Sequence, residues 1–175
     1  AATSVQDAIT EQTVSRLRSL ERMAQHWEGA GVFSPEVWEQ DVALLRRYDP
    51  YLRGVVWVDA SFWTHGFGPL ADEGVLGNPY SDAPTRQQLL TLARATQEAQ
   101  VKRVTAPGGT TQELWMVVPR ITGTTFKECL IGLLRLQPFL THIATTVVED
   151  FAVVVLDGEE PIYARHQTTP QYRDT

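Results

Sequence analysis

The chain has 175 residues, 43% of them hydrophobic and 9% aromatic, enough for one domain with a sizeable core and too apolar for a disordered segment. Its 15 Lys and Arg stand against 21 Asp and Glu, giving a net charge of −6. No basic run forms a continuous face, so nucleic acid is not an expected partner. The one cysteine, Cys129, excludes a disulfide within the chain; it lies in an apolar strand pattern, which fits a small buried hydrophobe. No apolar run reaches the ~18 residues that span a bilayer, and no signal-peptide pattern opens the chain. The abrupt start at Ala1, with a helical pattern soon under way, is expected of a piece of a longer protein.

Val5–Glu28 reads as one long helix, uninterrupted by proline and stopped by Gly29 and Gly31. Thr13, Leu17, Leu20, Ala24 and Trp27 form a single stripe, which fades upstream to Thr3, Gln6 and Thr10. A helix apolar at one end and polar at the other suits a stalk over residues 1–30. Its upper half is expected either to project or to pair with a second copy as a homodimer. Ser34, Pro35 and Glu36 start a second helix with a capping hydroxyl, a first-turn proline and an acid. Trp38, Val42 and Leu45 give its apolar face, and Asp49 before Pro50 ends it.

Leu52–Asp59 is the first strand, with Val55, Trp57 and Asp59 on one face and Gly54, Val56 and Val58 on the other. Phe62–Phe67 is its hairpin partner. Residues 71–81 form a loop rich in Gly, Asn, Pro and Asp. A third helix begins at 82–86 and is expected to reach about Ala99, with Leu89, Leu92, Ala93 and Thr96 facing inward. Val101–Thr105 is a short strand, and Pro107, Gly108 and Gly109 make a turn. Gln112–Pro119 and Glu128–Arg135, joined across Thr122–Thr125, read as central strands of an antiparallel sheet. Gln137 and Pro138 open a short helix to about Thr146. Phe151–Leu156 is expected to be a strand buried on both faces or nearly so. Asp157 and Gly158 signal a hairpin, Ile162–Ala164 is the return strand, and 167–175 is a polar tail.

A hairpin, a helix and then a meander of three strands give the α+β class. About five core strands form the sheet, with helices on one face, a long N-terminal helix and an added C-terminal strand pair. This order matches the PAS-type arrangement, in which the first and last strands lie centrally.

In that order the chain resembles an extracytoplasmic PAS-like sensor domain of the CHASE or Cache kind. Leu20–Trp27 resembles the end of the stalk helix. Tyr51–Asp59 resembles the first-strand pattern with its Trp and closing Asp. Gly77, Arg86, Leu89, Leu90, Ala93 and Thr96 resemble the covering helix and its approach. Trp115–Pro119 and Cys129–Leu136 resemble the last two core strands. The resemblance covers about residues 10–165 and implies a sensor domain over 31–166. It further implies a small-molecule ligand held between the sheet and the covering helix, a membrane-bound histidine kinase or cyclic-dinucleotide enzyme as the whole protein, and a periplasmic or extracellular location. Membrane contact would come only through flanking segments. The Tyr–Arg–Trp set that holds amino acids in many double Cache domains is not recognisable, so the resemblance does not name the ligand.

Several side chains are candidate ligand contacts. Trp57, Trp63 and Trp115 lie on neighbouring strands and fit either a pocket lining or core on the sheet face. Tyr80 sits in the loop where a lid belongs. Arg86 fits either a carboxylate contact or a solvated charge. Arg135 ends an apolar strand, either snorkelling at the rim or meeting an anion. Asp59 is expected to cap the turn towards Phe62. His26, His65, His142 and His166 show no ligand spacing, so no metal is expected. No Ser-His-Asp set, phosphate-binding glycine loop or HExxH motif appears, so neither a catalytic role nor a cofactor is expected. A cytosolic PAS-like regulatory module and a small α+β enzyme are the alternatives to a sensor.

Overall fold

The structure, a computed structural model, describes residues 2–29, 34–68, 84–105, 111–148 and 152–166. The expected loop at 71–81, the turn at 107–109 and the tail at 167–175 lie outside these residues. The chain divides into two compact units, Val14–Leu136 and Ala1–Thr13 with Gln137–Thr175.

The larger unit takes α1 (Ala2–Gly29) from Val14 onward, then α2 (Pro35–Tyr48), β1 (Leu52–Asp59), β2 (Thr64–Gly68) and α3 (Pro84–Thr96). It continues with β3 (Gln100–Thr105), β4 (Gln112–Thr122) and β5 (Thr125–Arg135). The strands make one sheet in the order β2-β1-β5-β4-β3, antiparallel throughout. β1 and β5 therefore lie side by side at the middle, as the sequence pattern predicts. The β4–β5 hairpin closes over Gly123 and Thr124, and Gly123 takes the positive φ of 63° that such a turn requires. Pro119 is tolerated within β4 because the β3 partnership ends at Val117, so no ladder bond to β3 is lost there.

Period-two alternation sorts the sheet into two apolar faces. On one face, Val56, Val58, Trp115, Val117, Cys129, Ile131 and Leu133 pack with Leu89, Leu90 and Ala93 of α3. On the other, Val55, Met116, Leu130 and Leu134 are buried, with α1 approaching at Leu20 and α2 at Val42. The helices thus divide between both faces, where the sequence suggested one. The reason is that β1, β4 and β5 are apolar on both sides in their central stretches, and each apolar face must be covered. α3 also differs in detail. Its buried stripe is Arg86, Leu89, Leu90 and Ala93, while Leu92 and Thr96 are exposed. It ends at Thr96, short of Ala99, because Gln97 turns to φ 59° and its N–H bonds the Ala93 carbonyl, closing the helix in a left-handed cap.

The smaller unit adds α4 (Leu136–Val147) from Gln137 and a two-stranded ribbon, β6 (Val153–Asp157) with β7 (Glu160–Arg165). The Gln137 side-chain amide donates to the Ile162 carbonyl at 2.6 Å, and Arg165 donates to the Val148 carbonyl. Gly158 supplies the expected hairpin turn at φ 64°. β6 is not buried on both faces: Val154 is 61% and Leu156 55% exposed. An unbroken apolar run does not by itself specify burial on two sides, and among the described residues this strand pairs on one edge, with β7.

Two close approaches fix the helices of the second face. A Cβ at Gly68 would lie 2.9 Å from the Val42 Cβ, and one at Gly132 would lie 2.7 Å from Leu20 Cδ1. The Val42 Cβ is attached to the α2 backbone and cannot swing aside, whereas Leu20 Cδ1 ends a flexible side chain. Gly68→Ala is therefore expected to destabilise the protein by ~1–3 kcal/mol, and Gly132→Ala by less. Urea denaturation of both variants measures the order, and an equal or reversed loss would contradict this packing.

Candidate functional site

The site is built where α3 meets the β1–β2 hairpin. Arg86, 1% exposed, lies on the inner stripe of α3. One of its terminal nitrogens donates to the Thr64 hydroxyl at 2.8 Å and to the Phe62 carbonyl at 3.3 Å. A guanidinium is held there by acceptors, since burying it without them would cost several kcal/mol. Phe62 is presented by a left-handed backbone, φ 68°, which a bulky residue adopts at a cost of ~1–2 kcal/mol. Its ring is offset by contacts: Phe126 stands edge-on at 6.4 Å, and the Arg94 guanidinium lies 4.7 Å over the ring.

Asp59 makes this turn. Its Oδ1 accepts the Ser61 N–H at 2.8 Å and the Trp63 N–H at 3.0 Å, and its carbonyl accepts the Phe62 N–H. The expected capping role is what the structure shows. Its Oδ2 meets His65 Nε2 at 2.5 Å. Partial burial opposes the charge on Asp59, but the His65 contact and the two backbone N–H groups together hold its carboxyl below the ordinary range.

A second polar group lies on the same sheet face. Glu113, 1% exposed, accepts from Arg53 Nε at 2.5 Å and from the Trp115 indole N–H at 3.0 Å. Arg135 is the cross-strand neighbour of Glu113, and so it shares this face. Glu113 was missed in the sequence, although alternation from Trp115 places it on the same side. Arg53 enters through an irregularity between Leu52 and Gly54 that no pattern announces.

The structure thus brings Arg86, Trp115 and Arg135 to the α3 side of the sheet. Trp115 is core there, wedged among Leu133, Val117 and α3. Trp57 lies on the opposite face, its ring 6.4 Å from Trp38 and 5.1 Å from His65. Trp57 and Trp115 are not on neighbouring strands, because β5 lies between β1 and β4, and their registers put them on opposite faces: Trp57 is level with Leu130 and Trp115 with Leu133. Trp63 is 66% exposed at the hairpin tip. Tyr80 lies outside the described residues. Cys129 is buried, and burial first, with Glu128 adding, pushes its thiol up to about 12, so it stays protonated as an apolar core group. Among the described residues no three His, Cys, Asp or Glu side chains gather as a metal site, and no helix is long and apolar enough to cross a membrane.

No protein-family model and no curated protein matches this sequence. Seven chains of solved structures do match. One is an extracellular ligand binding receptor from Desulfohalobium retbaense DSM5692, at TM-score 0.62 and 19% identity. The likeness is one of fold. It covers 86% of this chain and 27% of the receptor chain, so this chain spans about a quarter of that receptor.

The lowered pKa of the Asp59 carboxyl gives a signed expectation. A carboxyl lowered on folding stabilises the protein above its unfolded value, about 3.9, and loses that contribution as pH falls through the folded value. Asp59→Asn keeps an oxygen for both N–H groups and removes the charge facing His65. The wild type should exceed it by about 1 kcal/mol or less above that range, because the pair is partly solvated. The difference should close as the medium is acidified further. Denaturation across pH measures it; a gap that widens in acid would contradict the assignment.

Proposed function

We propose that this chain is the ligand-sensing domain of an extracellular receptor of the CHASE or Cache kind, taking a small molecule against the inner side of α3. The observation that carries this is Arg86, a guanidinium brought to 1% exposure on the helix that covers the sheet, in a fold shared with an extracellular ligand binding receptor. The Phe62 carbonyl and the Thr64 hydroxyl hold one of its terminal nitrogens. A carboxylate is the stronger partner for a guanidinium, through two parallel bonds. The ligand class that best suits Arg86 is therefore a small molecule with an anionic group.

In this reading the domain has no output chemistry of its own. It belongs to a membrane-anchored protein whose histidine kinase or cyclic-dinucleotide domain lies outside this chain. Two copies pair along the polar half of α1, and ligand binding favours one arrangement of that helix over another. The domain sits on the outer side of the membrane.

The test is a thermal-shift screen with amino acids, hydroxy acids and dicarboxylates. A true ligand at ~100 times its Kd is expected to raise Tm by roughly 5–10 °C. Arg86→Gln should abolish that shift, and Leu92→Ala, on the exposed stripe of α3, should leave it intact. No shift with any anionic compound, or an undiminished shift in Arg86→Gln, would contradict the assignment.

A further inference from the structure

The polar group around Glu113 does not end in the core. Arg53, which binds Glu113, is four residues after Asp49, and Asp49 is itself clamped from α1. Arg16 of α1 donates to Asp49 through Nε at 2.6 Å and through Nη2 at 3.1 Å, a two-pronged pair with side chains 13% and 15% exposed. Between the two pairs the backbone is held at each step. Asp49 caps the end of α2, its Oδ1 accepts the Tyr51 N–H, and its carbonyl accepts the Leu52 N–H. The Leu52 carbonyl accepts from Arg46, and the Tyr51 carbonyl accepts the Arg135 N–H. Pro50 restricts the chain inside this corner.

Two carboxylate–guanidinium pairs of opposite sense therefore grip one short segment. At residue 49 the segment offers the acid and α1 the base. At residue 53 it offers the base and β4 the acid. The far end of the second pair is the Trp115 indole, whose ring lies among the side chains under α3. A two-pronged guanidinium–carboxylate contact resists rotation as well as separation, so a shift of Trp115 or Glu113 cannot be absorbed by one loose hydrogen bond.

We propose that the corner Asp49–Arg53 couples the sheet face beneath α3 to the α1 helix, with Glu113 as the positioning residue that joins Trp115 to Arg53. Its use in signalling rests on the sensor reading above: α1 is the helix that reading assigns to the relay. The coupling itself is a property of the unliganded fold. It requires that loosening Glu113 loosens α1 near Arg16, and that this influence pass through Asp49. Coupling of this kind is reciprocal.

The test is native-state hydrogen exchange on the whole chain without ligand, so its failure would leave the ligand assignment standing. Glu113→Gln keeps the side-chain volume and an acceptor for Trp115, and removes the charge facing Arg53. Val58→Ala removes buried volume from the same face, level with Cys129 and away from Trp115, which is level with Leu133. Relative to Val58→Ala at matched global stability, Glu113→Gln should speed exchange of the α1 amides from Arg16 to Leu20 by about tenfold. In an Asp49→Asn background the extra acceleration should vanish, and Asp49→Asn alone should speed exchange at the start of β4. If Glu113→Gln does not fold, Trp115→Phe, which keeps an aromatic ring and removes the N–H, should give the same pattern with smaller size. Exchange in α1 no faster than in Val58→Ala, or acceleration that persists unchanged in Asp49→Asn, would overturn the coupling.

Discussion

A positive charge on the inner stripe of α3 sets the terms for the surrounding fold. Arg86 cannot be buried without acceptors, and the β1–β2 hairpin supplies them. To present its carbonyl, Phe62 takes a left-handed backbone. To hold that backbone, Asp59 gathers the N–H groups of Ser61 and Trp63. To stabilise the ring, Phe126 and Arg94 close on it. The hairpin, the start of α3 and its last turn thereby meet around one guanidinium. The stripe of α3 follows the same constraint, since placing Arg86 inward puts Leu89, Leu90 and Ala93 beneath the helix and turns Leu92 out.

Much of this architecture was legible in the sequence. Alternation in Leu52–Asp59 gave the strand with its bounds, and proline and serine marked the start of α2, where Ser34 does cap the helix. The hairpin at Asp157 and Gly158 and the central position of the first and last strands followed from turn chemistry and element order. What failed had a common cause. Periodicity says that a segment has an apolar side, but not how many sides meet another layer. Hence helices appear on both faces of the sheet, and β6 is exposed at Val154 and Leu156.

The site was less legible than the fold. Arg86 was visible as a choice between ligand contact and surface charge, and its burial removes the second. Trp57 and Trp115 looked like neighbours because their strands both pair with β5, yet strand parity puts their rings on opposite faces. The pairs Arg53–Glu113 and Arg16–Asp49 join residues 60 and 33 positions apart. No local pattern encodes such contacts, which exist only once the sheet and helices are assembled. The result is a core with two ionic features of different character. One is a buried guanidinium that gathers the Phe62 carbonyl and the Thr64 hydroxyl. The other is a closed chain of paired charges, suited to holding elements in register.

Native mass spectrometry of the freshly purified protein tests the central claim most directly. A small anionic molecule carried through purification should appear as a discrete mass increment on the wild type, and the Arg86→Gln protein should lack it while remaining folded. An increment retained undiminished by folded Arg86→Gln would contradict the account.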